Sequence, residues 1–108
     1  MIRVRFFCSD GRITGFSVRG HAGLADAGED ILCAAVSSAA YMTVNTLTDV
    51  CKVCCDLSVS DGDMAVLLTG QNANSVQDLL KGFSLHMREL SRQYPEKLKV
   101  IYGGKNHA

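Results

Sequence analysis

The sequence predicts an α+β fold: a single two-layer α/β domain over residues 1–108, in ββαββαβ order, with one mostly antiparallel sheet and two helices. Three observations predict it. Ser-Asp-Gly occurs twice, at 9–11 and 60–62, each time between two short runs rich in strand-forming residues, and Asp-Gly supplies the positive φ of a tight hairpin. Each of these hairpins is followed by a long helical pattern, and "LKVIY" (98–102) follows Pro95 as a last strand.

Taken in order, "IRVRFF" (2–7) and "RITGFSVRG" (12–20) flank "CSDG" as the first hairpin. The first helix, 31–50, has no clean polar face, because Ile31, Leu32, Ala35, Val36, Ala39, Ala40, Met42, Val44, Leu47 and Val50 spread around its axis. A helix apolar on most sides is buried on most sides. The sheet of a two-layer domain covers one side only, so a second helix or a second subunit must cover the other, and a homodimer is expected.

The second hairpin joins "CDLSV" (55–59) to "MAVLLTG" (64–70). Over 73–93, Val76, Leu79, Leu80, Phe83, Met87, Leu90 and Tyr94 recur at steps of three and four, which makes one apolar stripe of a second helix that Pro95 ends. With 108 residues there is room for one core, and no linker or low-complexity tract divides it.

Lys+Arg and Asp+Glu are equal at 11 each, so no basic field overall favours direct nucleic-acid or anionic-membrane binding, and neither is expected. Met1 is followed at once by a strand pattern rather than by the apolar region of a signal peptide. The longest apolar stretch, 31–44, is interrupted by Ser37, Ser38 and Thr43, a poor membrane span, so a cytoplasmic location is expected. Five cysteines, Cys8, Cys33, Cys51, Cys54 and Cys55, are an odd number and are expected to be mostly free thiols.

"CKVCC" (51–55) contains Cys-x-x-Cys, but a zinc site needs two further ligands, and neither a second Cys-x-x-Cys nor His-x-x-x-His exists. Buried packing thiols at a helix–strand junction are expected there, and no metal or cofactor. His86, between stripe positions, and His107, near the C-terminus, are expected to be solvated.

The chemistry concentrates in "GHAGLADAGEDILCAAVSS" (20–38). Asp30 is a preferred N-cap residue directly before the helical pattern, which would put Cys33 in the first turn, where free amides and the macrodipole favour a thiolate. Gly20 and His21 lie just past the second strand, and a loop with Gly23 and Gly28 can fold back to the helix start, so a Cys-His nucleophile pair is geometrically open, as is a packing thiol beside a surface histidine. The same loop, Ala22 to Glu29, is expected to be mobile without substrate. Ser37, four residues past Cys33, lies on the same helix face, where its hydroxyl can bond substrate, the imidazole or the Cys33 carbonyl. A phosphate-binding loop does not fit, since Glu29 and Asp30 stand at the helix start and no Gly-Lys-Ser/Thr is present.

Gly20-His21-Ala22, Gly28, Asp30, the unbroken "CAAVS" (33–37) and "TVN" (43–45) together resemble the bacterial ribosomal-processing cysteine protease family, Prp, and the ββαββαβ order resembles that family's fold along essentially the whole chain. The resemblance implies that Cys33 is the nucleophile and His21 its general base, with Asp30, Ser37 and Gly20 in supporting roles. It further implies a homodimeric endopeptidase without cofactor that cuts after an aromatic residue. Its partner would be the N-terminal extension of large-subunit ribosomal protein number twenty-seven, removed as the ribosome assembles. One departure is Leu24, where the family frequently carries an aromatic residue. The competing reading is a ribosome-associated module that holds the extension without cutting it.

Overall fold

Alternation along the first two strands decides which face of the sheet is dry. In β1 (Ile2–Ser9) Ile2, Val4 and Phe6 are buried while Arg3 and Arg5 are exposed, and in β2 (Arg12–Arg19) Phe16 is buried while Arg19 is exposed. The computed structural model describes residues 1–20 and 27–103. Asp10 and Gly11, with φ of 53° and 76°, make the turn between these strands, as a primed hairpin turn requires.

Five strands form one sheet in the order β3-β4-β2-β1-β5, with β3 at Asp56–Ser60, β4 at Asp63–Leu67 and β5 at Leu98–Tyr102. β1–β2, β2–β4 and β3–β4 are antiparallel, and β1–β5 is parallel. The expected mixture is therefore present. Between Phe7 and Cys8 the β1–β2 register slips, since Phe7 faces Gly15 but Cys8 faces Ile13. Thr14 is the extra residue of this bulge.

The Ile13 backbone groups at the bulge are claimed by a side chain instead. Ile13 N–H donates to Gln77 Oε1 at 2.9 Å, and Gln77 Nε2 donates to the Ile13 carbonyl at 2.7 Å and to the Ala73 carbonyl at 2.9 Å. That clamp accompanies a departure from the single helix expected over 73–93. Two helices stand there, α2 (Gly70–Asn74), capped by Thr69 Oγ1, and α3 (Gln77–Gln93), with Ser75 and Val76 between them.

α1 runs over Ala27–Asn45, four residues earlier than expected at its start, and continues as a π-helical turn over Thr46–Val50, where the Cys51 amide donates to the Thr46 carbonyl at 2.8 Å. The 20-residue run Ile31–Val50 is long and apolar enough to cross a membrane by length and composition. In this fold its inner side packs on the sheet, with Leu32, Val36, Ala40, Val44 and Leu47 in the core.

α3 lies on the same face. Phe83 meets Phe16 at 4.7 Å and Phe6 at 5.5 Å between ring centroids, and Tyr102 stacks on Phe6 while its hydroxyl shares a 2.6 Å hydrogen bond with Ser84. The predicted α3 stripe is the buried one, with Val76, Leu80, Phe83 and Met87 buried and Leu79, Leu90 and Tyr94 packed against them. His86 is exposed as expected, and His107 lies outside the described residues.

Candidate active site

Cys33 is set by the period of α1. Residues 33, 37 and 41 recur every four positions and so share one helix face. They line a cleft of about 200 Å³ together with Val18 and Gly20 at the end of β2, Val59 and Ser60 of β3, the turn Asp61–Gly62, and Met64 of β4. The sheet order explains the meeting, because β4 pairs with β2 and carries the second hairpin turn to the end of β2, where the Gly20 amide donates to the Gly62 carbonyl at 2.9 Å.

Cys33 is half-buried and packs against the core. Ser37, also half-buried, makes no hydrogen bond to the Cys33 carbonyl among the described residues, whereas Thr43, Thr46 and Thr48 each bond back to the carbonyl four residues earlier. Of the three roles named for it, the back-bond is absent, and the bond to the imidazole involves His21, outside the described residues. Tyr41 carries no sequence signal for the site beyond helical periodicity, being four residues past Ser37, and Ser60–Gly62 is legible in the sequence only as a hairpin turn. The hairpin contribution depends on the strand order.

Asp63 Oδ1, closed to solvent, stands 3.4 Å from Arg19 Nε. This ion pair ties β4 to β2 beside the cleft. The Arg19 side chain is largely exposed and that of Asp63 partly so, and the pair contributes little to stability.

The expected N-cap at Asp30 is not the helix start. α1 begins at Ala27, so Asp30 lies within its first turn and Cys33 lies six residues after Ala27, past the turn whose amides are free. Acidic Glu29 and Asp30 suit an early helical turn as well as a cap, which is why the sequence signal admits both. The Cys33 amide therefore belongs to the helix interior, and an oxyanion donor has to come from another group. His21 and residues 22–26 of the expected mobile loop lie outside the described residues, while residues 27–29 of that loop belong to α1.

A larger hollow of about 530 Å³ opens at the other end of β2 and β4, lined by Cys8, Arg12, Cys54, Cys55, Asn72 and neighbouring residues. Arg12 is engaged there by the Gly70 carbonyl and Asn74 Oδ1. The buried packing expected for "CKVCC" is not observed: Cys51 and Cys54 are exposed, and only Cys55 is partly buried against the core. The chain turns at this point, with Lys52 at φ 55°, before it enters the edge strand β3 at Asp56. All five cysteines are free. Burial, then the neighbouring Asp56 and Cys54, push the Cys55 thiol up from its ordinary range. Among the described residues, no group of three or more His, Cys, Asp or Glu side chains is arranged to hold a metal ion.

Comparison with known proteins gives the chain a family. No curated protein matches the chain. Among solved structures, the S. aureus ribosomal processing protease Prp in complex with a substrate peptide superposes with a TM-score of 0.85 at 24% identity, over 94% of this chain and 99% of that one. The same protease with a covalently linked product peptide gives 0.83 at 25% identity, over 94% and 99%. SMU.848 from Streptococcus mutans gives 0.83 at 30% identity, over 94% and 98%. The family model described as cysteine protease Prp matches residues 1–99, a span that takes in Cys33, its cleft and the whole His-to-Cys segment, and the chain belongs to this family of cysteine proteases.

Proposed function

We propose that this protease removes the N-terminal extension of large-subunit ribosomal protein number twenty-seven during ribosome assembly in the cytoplasm, as a homodimer, with Cys33 as nucleophile and His21 as general base. The observation that carries the reading is that Cys33, Ser37 and Gly20 line one cleft in a chain that matches the Prp family. His21 follows Gly20 directly in the sequence, and the two S. aureus relatives are a ribosomal processing protease seen with substrate and product peptides.

In this mechanism the Cys33 thiolate attacks the scissile carbonyl, and the C–N bond breaks as the imidazolium of His21 protonates the leaving amine. Water, activated by the same imidazole, then hydrolyses the thioester and restores the thiol. Ser37 supplies a hydroxyl to the substrate from the turn after the nucleophile.

The test is incubation with a synthetic peptide spanning the junction between the extension and the mature protein, read by mass spectrometry. A single cut is expected from the native protein, none from Cys33→Ala, and a rate about 10²–10⁴-fold lower from His21→Ala. Cleavage by Cys33→Ala at the native rate would remove Cys33 from the mechanism. An intact peptide with the native protein would remove the substrate.

A further inference from the structure

The face of the sheet opposite the helices carries a charge pattern that the neutral composition hides. In-register partners point to the same side, and one lateral row across the sheet reads Ser60, Asp63, Arg19, Arg3, Lys99. Arg5, two residues along β1 from Arg3, adds a fourth cation to that side, beside Ser17 and Ile101. Arg3, Arg5, Arg19 and Lys99 are all exposed.

Like charges placed directly opposite one another across strands destabilise a sheet, and here Arg3 faces Arg19 on one flank and Lys99 on the other. Arg19 alone has an ionic partner, the partly exposed Asp63; among the described residues Arg3, Arg5 and Lys99 have none. Folding gains nothing from this arrangement. Three cations lie across roughly 10 Å of sheet, at about 4.8 Å per strand.

The rest of the face has the buried Gly15 and Ser17 with Ala65 at its centre, flanked by the half-buried Phe7, Leu67 and Ile101, none of which is among the large exposed apolar residues. The large exposed apolar residues of the strands and helices, Ile31, Tyr41, Met42, Val50, Leu57, Val59, Leu85 and Tyr102, belong to the helices or to strand positions in register with the buried face. An interface with a folded protein or a bilayer would need such groups on the cationic side. A phosphate backbone needs only charge and hydrogen bonds, and the guanidinium fork matches phosphate geometry.

We propose that the open face of the sheet binds the phosphate backbone of single-stranded RNA through Arg3, Arg5, Arg19 and Lys99. The cation row stands on geometry alone; the choice of RNA among polyanions rests on the proposed ribosomal substrate. None of the four cations lines the Cys33 cleft, which meets this row only at its far end, Ser60 and Asp63, so the cleft stays free for peptide. The partner is therefore the nucleic acid around the substrate rather than the substrate itself.

The experiment is fluorescence anisotropy of a labelled 20-nucleotide mixed-sequence RNA against the full chain from 50 to 200 mM salt, without peptide. The native protein should bind with log K falling against log salt at a slope of about −2 to −3, at ~0.7 per phosphate neutralised. The pair Arg3→Glu and Arg5→Glu should weaken binding at least tenfold and flatten the slope by about 1.4, while the charge-matched helix-side pair Lys81→Glu and Arg88→Glu should leave affinity within twofold. Cys33→Ala should bind RNA as the native protein does, which separates failure of the protease reading from failure of this one. If the first pair does not fold, Arg3→Gln with Lys99→Gln takes its place, with retained peptide cleavage as the check on folding. Single-stranded DNA of the same length should bind within a few-fold, since the contacts are to phosphate. No binding at 50 mM salt, equal losses from both Glu pairs, or equally tight binding of polyglutamate or of phosphatidylglycerol vesicles would overturn the proposal.

Discussion

Gly20 is where β2 hands the chain to the segment that carries His21. Its φ of 86° lies in the left-handed region, and a Cβ built on it would stand 2.3 Å from the Met1 carbonyl oxygen, a backbone atom that cannot move without dragging β1. Gly20→Ala should lower stability by roughly 1–3 kcal/mol in urea titration. It should also lower peptide cleavage by more than the unfolded fraction explains, because Gly20 lines the cleft. Native stability and rate together would show that the position is tolerant. Cys33→Ala makes the contrasting case, since the site is half-buried, helical and suited to alanine, so cleavage should vanish with the melting temperature nearly unchanged. Thiol labelling can follow the same residue only at peptide resolution, because the exposed Cys51 and Cys54 also react. Cys55 should label slowly at pH 7 and faster as pH rises beyond the ordinary thiol range, since burial, Asp56 and Cys54 all hold it protonated. Its raised folded-state pKa also means that any stability it contributes is present below the unfolded thiol pKa and lost as pH climbs through the folded one. Equal iodoacetamide labelling of Cys51 and Cys55 at pH 7, mapped by mass spectrometry, would contradict this.

Among the elements, the join between α2 and α3 depends on one side chain. Gln77 satisfies both backbone groups of Ile13 at the β1–β2 bulge and ties them to Ala73. Gln77→Ala leaves these groups to compete for water in a part-buried place, and a loss of about 1–3 kcal/mol in the urea midpoint is expected. An unchanged midpoint would mean that solvent replaces the clamp. Both hairpins were legible because Asp-Gly turns and alternating runs are local signals, and α3 was legible from its stripe. The break at Ser75 and Val76 was not, since the clamping contact joins positions 64 residues apart and leaves no periodic trace. The start of α1 was misplaced for a different reason: acids near a helix start serve as caps or as first-turn residues with equal chemistry. Of the candidate site, Cys33, Ser37 and Gly20 were legible and do meet in one cleft, while its hairpin wall required the strand order β3-β4-β2.

At the scale of the whole molecule, the two sides of the sheet divide the exposed chemistry. The helix side carries an outward stripe on α1 and its π-helical turn in which Ile31 is 65% exposed, Met42 57% and Val50 75%, with small Ala34 and Ser38 also exposed between the first two. Burying such side chains yields about 25 cal/mol per Å² of apolar surface, and small residues between them let a second helix approach closely. The sequence reading that a helix apolar on most sides needs a second cover therefore survives in part: the sheet and α3 together take Leu32, Val36, Ala40, Val44 and Leu47, and the opposite stripe remains open. A second copy presenting the same stripe would cover it with two-fold symmetry. Sedimentation equilibrium at micromolar concentration should give the mass of a dimer. Ile31→Glu with Met42→Glu should shift it to monomer, because four carboxylates would then meet across the two-fold axis in an apolar contact. The same pair lies away from the cation row on the open sheet face, so RNA affinity per chain should stay within twofold. A native monomer at these concentrations, or a dimer unaffected by the two glutamates, would place the contact elsewhere or remove it, and the stripe would then count as exposed apolar surface without a partner.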